Sequence, residues 1–289
     1  IKCFSSFKVS QKTRQNVFTY MKLNALGILV ENGTKLWGLA KPLNYEMQFG
    51  FDVTPTKDGS LMGASVISNA ISVDIRFDTK PLPRRDYKRR EGIPIKIIGE
   101  FVLNELERFL GTYGQVPKNI LFQRDGRFFE DELDGINKAI DKFVKSHPDK
   151  GELEWDAVAI QKNSAISLRM FDFDGQAIEG PVSGSYIIQT NTIGHLITAG
   201  TPTLRQGTPR PIQIELMDKG VLDDTKLLKV MQDIFSLSQL NWNSPESDIS
   251  LPITLRFTDQ KLAVYGLDSD EEAYDEDDDW KTHEEDSGE

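Results

Sequence analysis

The sequence predicts an α/β fold in which one mixed sheet is flanked by helices on both faces. Strongly apolar segments at 47–51 and 119–122 are followed by an aspartate, a pattern typical of buried strands that end at a polar turn. Two long amphipathic segments, 95–110 and 130–145, have the spacing of helices. Strands that alternate with such helices are typical of a sheet covered on both faces.

The first half of the chain predicts a strand meander that leads into a helix and a further strand. Residues 71–77 alternate apolar and polar side chains, which indicates a half-buried strand. Gly111 and Gly114 are expected to end the helix that begins at residue 95. The predicted elements are a strand at 1–12, a helix at 13–30, strands at 46–53, 61–69 and 71–77, a helix at 95–110 and a strand at 118–124.

The second half continues the alternation and ends in a long helix and one last element. We predict a helix at 130–145, strands at 155–161, 166–171, 185–190, 195–199 and 212–216, and a helix at 222–240. The last element starts at residue 251 and is a helix or a strand end that carries Asp259. A three-strand meander followed by helix–strand–helix–strand is the order of an RNase H-like sheet.

The bulk composition indicates a folded protein that is not embedded in a membrane. Apolar residues make up 38% of the 289 residues, and no apolar run reaches the length of a membrane-spanning helix. A single cysteine, Cys3, fits a reducing compartment, and the first residues lack the apolar run of a signal peptide, so we expect a cytoplasmic protein. The chain begins with Ile, which favours a piece of a longer protein.

The net charge of −11 is unevenly distributed. Residues 268–289 contain 13 acidic residues and one lysine, whereas 1–267 contain 33 basic and 32 acidic residues. The acidic end is predicted to be a disordered tail. The near-neutral remainder leaves local basic patches able to bind phosphate. The densest patch is 84–90, which is either a solvated loop or a phosphate-contacting segment.

Four acidic residues at wide intervals are candidate metal ligands: Asp52, Glu91, Asp125 and Asp259. Asp52 and Asp125 each close a buried strand, where a carboxylate is held at the rim of a sheet. A lone aspartate after a strand is commonly a turn or surface residue. Several that converge would form a hard-oxygen site for Mg²⁺ or Mn²⁺, the chemistry of two-metal phosphodiester hydrolysis.

The segments around these acids resemble one protein family. They are RDGR at 124–127, EGIP at 91–94, GTPRP at 207–211, and a stretch from 251 to 259 that starts with Leu-Pro and ends with Asp. Together they resemble the PIWI domain of a prokaryotic Argonaute, in the order that this family uses. The resemblance implies the C-terminal part of a MID-like domain at 1–40, an RNase H-like PIWI domain at 41–267, and the acidic tail at 268–289.

The resemblance also implies a catalytic set of four acids with two ions, Mg²⁺ or Mn²⁺. The metal ligands would be Asp52, Asp125 and Asp259. Glu91 would enter the site from a loop, as a glutamate finger, when the target is bound. Glu100 and Glu105, on the helix that follows, are expected to face solvent. Three or four carboxylates offset the repulsion between two divalent cations.

Contacts to nucleic acid follow from the same resemblance. They are assigned to Gln11, Lys22, Arg127, Lys162, Arg169 and Arg210. Gln11 and Lys22 would belong to the pocket for the 5′ nucleotide of the guide, which Arg210 would also approach. Many members of the family have a second lysine of that pocket where this chain has Leu26. The sequence therefore leaves two kinds of guide open, one with a 5′-phosphate and one with a 5′-hydroxyl. Arg124, beside Asp125, has a structural ion pair as its alternative.

The leading hypothesis is a metal-dependent endonuclease that cuts the strand complementary to a short bound guide, of DNA or RNA. The alternative is a guide-dependent binding module that silences without cutting, and the presence of all four acids favours cutting. An unguided RNase H-like nuclease would not need Gln11, Lys22 or the segment 207–211. The expected partners are a guide, a target strand and the remaining Argonaute domains (N-terminal, PAZ and MID) on the same or a companion chain.

Overall fold

The computed structural model describes most of the chain between residues 21 and 270. The described residues are 21–22, 24–29, 32, 34, 37–56, 59–68, 74–83, 92–162, 168–173, 175–176, 178–198, 210–217, 224–240 and 251–270. The predicted strand at 1–12 lies outside them, as do Gln11 and Glu91. Of the predicted helix at 13–30, residues 21–22 and 24–29 are described, and they are helical.

The first part of the fold is a meander followed by two helix–strand units. The elements are β1 (Met47–Thr56), β2 (Gly59–Ile67), β3 (Ile75–Leu82), α1 (Ile95–Tyr113), β4 (Asn119–Asp125), α2 (Glu130–Ser146) and β5 (Glu154–Gln161). A short 3₁₀ turn, Pro148–Lys150, follows α2. Gly114 ends α1 in a left-handed conformation, with its N–H donating to Leu110 O, as the sequence predicts, whereas Gly111 lies inside the helix and does not end it.

The second part adds short strands and two more helices. The elements are β6 (Asp172–Phe173), β7 (Ile178–Glu179), β8 (Tyr186–Ile188), β9 (Ile193–Leu196), β10 (Ile212–Leu216), α3 (Asp224–Ser238) and α4 (Ile253–Asp270). The last element is therefore a helix. Its end, Asp270, lies three residues inside the predicted tail, and residues 271–289 are outside the described part.

Eight strands form one mixed sheet in the order β3-β2-β1-β4-β5-β10-β9-β8. The three central strands, β1, β4 and β5, run parallel, and every other pairing in the sheet is antiparallel. β6 and β7 pair separately as a small ribbon. Parallel neighbours end at the same edge, so the carboxyl ends of three consecutive central strands lie side by side.

Helices cover both faces of the sheet. On one face α1 and α2 pack against an aromatic core in which Phe49 and Phe122 stack at 4.8 Å and Phe101 meets Phe49 edge-on. On the other face α3 and α4 pack against β4, β5 and β10 through a second core that includes Leu121, Ile160 and Ile234. This mixed sheet flanked by helices matches the α/β, RNase H-like prediction.

Some element boundaries differ from the predictions. Of the strand predicted at 71–77, residues 71–73 lie outside the described part and residue 74 is not in a strand; β3 begins at Ile75 and continues to Leu82 through Pro81. A proline is tolerated there because β3 is an edge strand. The strand predicted at 166–171 is not seen in 168–171, the part of it that is described, and the next strand begins at Asp172. None of the described helices combines the length and apolar character needed to cross a membrane.

Candidate active site

Two of the predicted aspartates lie on adjacent parallel strands. The pairing of β1 with β4 aligns Phe51 with Arg124, so Asp52 and Asp125 each come one residue later on neighbouring strands. Gly126 turns the chain directly after Asp125 at φ 85° and donates its N–H to Ile160 O. A side chain at that φ would be strained, which explains the glycine of the RDGR segment. Asp125 ends β4 as predicted, but Asp52 does not close its strand, because β1 continues to Thr56. Both carboxylates nevertheless lie side by side where the pairing of β1 with β4 ends.

The third aspartate is brought to this edge by the last helix. α4 carries Asp259 and crosses β1 and β2 very closely, because glycines replace side chains at the crossing points. A Cβ added to Gly50 would lie 2.8 Å from the backbone carbon of Thr254, and one added to Gly63 would lie 2.8 Å from Leu262 and Thr258. The absence of these two side chains sets how near Asp259 can come to the strand ends.

Asp52 lies close enough to the other two aspartates for their charges to act on it. Burial, the charge of Asp125 and, more weakly, the charge of Asp259 raise the pKa of Asp52 to about 6. Arg124 and the Val53 N–H act in the opposite direction and stabilise the ionised form. The Asp52 side chain is only 17% exposed. A carboxylate placed in this way gains from an additional nearby cation.

One such cation is the Lys162 ammonium, which lies among the aspartates. Lys162 follows β5, the third parallel strand, and its Nζ is 2.8 Å from Asp125 Oδ2 and 4.0 Å from Asp259 Oδ2. Burial lowers its pKa, but the bond to Asp125 and the charges of the three aspartates outweigh this, so the net shift is upward. Lys162, predicted as a nucleic-acid contact, is thus part of the carboxylate cluster.

Arg124 forms a buried structural ion pair, the alternative role that the sequence left open for it. It is 2% exposed, and its guanidinium lies 3.6 Å from Asp52 Oδ1 and 3.5 Å from Glu132 Oε1. Glu132, at the start of α2, is fully buried and accepts the N–H groups of Ile93 and Phe129. Arg124 therefore connects Asp52 to a carboxylate that holds the chain two residues after Glu91.

The three aspartates fit a divalent cation in their chemistry. Carboxylate oxygens at a rigid sheet edge are the donors that Mg²⁺ and Mn²⁺ prefer. Throughout the described residues, however, no three Asp, Glu, His or Cys side chains are grouped as ligands of a single ion. Two of the carboxylates are engaged by cationic side chains, Asp125 by Lys162 and Asp52 by Arg124. Metal binding at Asp125 therefore requires that its contact with Lys162 be broken.

A chain of buried hydrogen bonds beneath the site was missed by the sequence predictions. Gln48 Nε2 donates to Asp233 Oδ2 at 2.9 Å, Gln123 Nε2 donates to Gln48 Oε1 at 2.6 Å, and Thr254 Oγ1 donates to Gln123 Oε1 at 2.6 Å. All four side chains are at most 2% exposed. The chain links α3, β1, β4 and α4. Its signal in the sequence is a glutamine inside each of two apolar strands.

One expectation about acidic residues was wrong. Glu105 is buried at 5% exposure and pairs with Arg76 at 3.1 Å and with Arg108 at 3.4 Å, although it was expected to face solvent. It lies on α1 where the helix packs beside the meander, and Arg76 of β3 compensates its charge. Glu100 is exposed, as expected, with Lys96 at 3.9 Å.

The remaining described candidates for nucleic-acid contact lie on the surface. Lys22, Arg127, Arg169 and Arg210 are exposed. The guanidinium of Arg127 lies 5.0 Å from the ring centre of Phe129 at the rim of the site. Gln11 and Glu91 fall outside the described residues. The structure thus brings together Asp52, Asp125, Asp259 and Lys162, while the assignments of the other residues stay predictions.

Similar proteins were found among curated sequences, although no protein-family model matches the chain. "Protein argonaute" of Pyrococcus furiosus is 25% identical over 252 residues, which is 80% of this chain and 27% of that protein. "Protein argonaute" of Thermus thermophilus is 24% identical over 241 residues, which is 83% of this chain and 32% of that protein. The chain thus spans about a third or less of the length of these relatives.

A solved structure has the same fold. It is Clostridium butyricum Argonaute bound to a guide DNA and a 19-mer target DNA, with a TM-score of 0.69 and 25% sequence identity. The match covers 88% of this chain and 32% of that one. Together with the two relatives, it supports an Argonaute PIWI-like domain with an RNase H-like fold.

Proposed function

We propose that this protein is a guide-directed endonuclease that hydrolyses one phosphodiester bond in the strand paired to a short guide. The observation that carries the proposal is the proximity of Asp52, Asp125 and Asp259 at the point where the pairing of β1 with β4 ends, with Lys162 in contact with Asp125 and Asp259 and Arg124 beside Asp52. The similarity to an Argonaute whose structure holds guide and target DNA supports a nucleic-acid substrate. The relatives are longer, so the proposed partners also include the remaining Argonaute domains, on the same or a companion chain.

The three aspartates would hold two Mg²⁺ or Mn²⁺ ions, with Glu91 as the fourth acid. Such ions supply a nucleophilic hydroxide and stabilise the leaving oxygen. The role of the chain is to hold the acids at fixed positions, and the buried Arg124 favours the ionised form of Asp52 against the opposing effects of burial and Asp125. Base pairing to the guide would supply sequence specificity, with the protein contacting the backbone.

Cutting would be tested with the protein loaded with short single-stranded guides, of DNA or RNA, carrying a 5′-phosphate or a 5′-hydroxyl. We expect a labelled complementary strand to be cut once in Mn²⁺ or Mg²⁺ and left whole in EDTA. Asp125→Asn keeps the size of the side chain and removes its charge. It should therefore abolish cutting but leave the affinities for guide and target within about twofold of those of the unmodified protein. Loss of binding and cutting in equal measure would refute the catalytic assignment.

The second candidate is a guide-dependent module that binds and silences without cutting. It is favoured by the contact between Lys162 and Asp125, since an ammonium already compensates part of the charge that a metal would neutralise. The same assay separates the two candidates. Tight binding of a guide and its complement, with no cutting in any divalent metal, would support the binding module.

A further inference from the structure

The position of Lys162 has a consequence for metal loading. Its Nζ is 2.8 Å from Asp125 Oδ2, within hydrogen-bond distance, and 4.0 Å from Asp259 Oδ2. A divalent ion held by Asp125 would sit about 2.0–2.6 Å from the same carboxylate. The ammonium and a metal ion would then be only a few ångströms apart in a partly buried site, where like charges repel strongly.

We propose that Lys162 is a built-in competitor for the divalent cation. In the metal-free protein its ammonium compensates the charge of Asp125 and Asp259, and it must leave Asp125 when an ion binds there. This inference rests on the proposed function, because it takes the three aspartates as the metal site. In this proposal Lys162 first pairs with the aspartates, and it contacts the nucleic-acid backbone only after a metal ion has displaced it.

The surrounding contacts support this role. Asp52 already has Arg124 beside it, at 3.6 Å, whereas Asp125 and Asp259 share Lys162 as the cation that the structure shows next to them. The Lys162 side chain is 39% exposed, so it has solvent into which it can swing. The Arg124 side chain is only 3% exposed and lies beside Glu132, so it cannot move away in the same way. The exchangeable cation is therefore the lysine.

The release would leave the ammonium at the same edge of the sheet, beside the strand ends. There it becomes available for the phosphate contact that the sequence predicts for Lys162. Metal binding and backbone contact would then be coupled through one side chain. Metal binding would then raise the affinity for the nucleic-acid backbone, and contact with the backbone would raise the affinity for the metal ion by the same factor.

The test measures Mn²⁺ binding to the full chain without nucleic acid, from the loss of the electron paramagnetic resonance signal of free Mn²⁺. Lys162→Met should tighten Mn²⁺ binding about tenfold or more, because the competing charge is gone. Lys162→Arg, which keeps the charge, should stay within about threefold of the unmodified protein. Lys162→Gln serves if the Met variant does not fold.

Lys226 provides a matched control. Its Nζ lies 2.7 Å from Asp156 Oδ1, at a similar side-chain exposure of 35%, in an ion pair outside the aspartate cluster. Lys226→Met should alter stability but leave Mn²⁺ affinity within about twofold. An equal change in both lysine variants would mean a general effect of charge and would overturn the inference.

Asp125→Asn separates failure of the inference from failure of the proposed function. If Mn²⁺ binding depends on Asp125 but is unchanged or weaker in Lys162→Met, the competitor role is wrong and the metal site stands. If Mn²⁺ binding is the same in Asp125→Asn as in the unmodified protein, the proposed metal site itself is wrong, and the inference is lost with it.

Discussion

Replacing the Asp52 carboxylate with an amide should stabilise the metal-free protein. In the folded state the pKa of Asp52 is raised from 3.8 to about 6, mainly by burial and then by the charge of Asp125. The folded protein therefore binds a proton at Asp52 more tightly than the unfolded chain does. It follows that stability falls as the pH rises through about 4 to 6, and that the ionised group is destabilising at neutral pH.

The magnitude follows from the size of the shift. A difference of about two pKa units corresponds to ~3 kcal/mol at pH values above both pKa values. The substitution Asp52→Asn would also deprive Arg124 of a charged partner at 3.6 Å, although Arg124 keeps Glu132 and the Asp125 carbonyl. We therefore expect this variant to gain ~1–2 kcal/mol near pH 7, or ~2–8 °C in Tm for a domain of roughly 150–250 residues.

The assay is thermal unfolding in EDTA over the range of about pH 4 to 7. The gain in Tm should shrink as the pH falls and should be small near pH 4, because the folded carboxyl group is then protonated while the unfolded one is close to its pKa of 3.8. Asp134→Asn, at an exposed position of α2, is the control and should change little. Equal Tm values for Asp52→Asn and the unmodified protein near pH 7, or a gap that persists near pH 4, would refute the reasoning.

Two further predictions concern the acid set and the helix that carries Asp259. Glu91→Ala should lower the cutting rate by orders of magnitude and leave Tm unchanged. Glu100→Ala should have little effect on either quantity. The reverse result would mean that Glu91 is not the glutamate finger. Gly50→Ala should lower Tm by an amount equivalent to ~1–3 kcal/mol, and the cutting rate with it, because the new methyl group forces α4 away from β1. Gly111→Ala, with open space around the added carbon, is the control and should be neutral or stabilising; equal losses in both glycine variants would contradict this account.

The sequence predicted the sheet's central part well because its signals are local. The apolar runs of β1 and β4 and the periodicity of α1 and α2 each lie within one element, and their boundaries agree with the structure within a few residues. The edge strand β3 was harder. Most of its residues are half-buried or exposed, so no buried pattern marks its end, and the predicted end at residue 77 falls short of Leu82.

The site was partly predictable for a different reason. Asp52 and Asp125 follow from strand ends, and Asp259 follows from a resemblance, but their proximity depends on register and on helix packing. The sequence around Lys162 does not show whether its ammonium binds a phosphate or a carboxylate. Glu105 was misjudged because its burial depends on Arg76, a residue of a strand distant in sequence.

The buried hydrogen-bond chain from Asp233 to Thr254 has a consequence for folding fidelity. Two apolar strands such as β1 and β4 could slide by two residues and keep the same faces buried, but this would separate Asp52 from Asp125 by about 7 Å along the strands. The chain is tied to a helix at each end, so a displaced alignment cannot form all its bonds. Each buried amide left unpaired costs about 1–3 kcal/mol. Misaligned molecules are thereby rejected during folding, and the native population is uniform in the spacing of its acids.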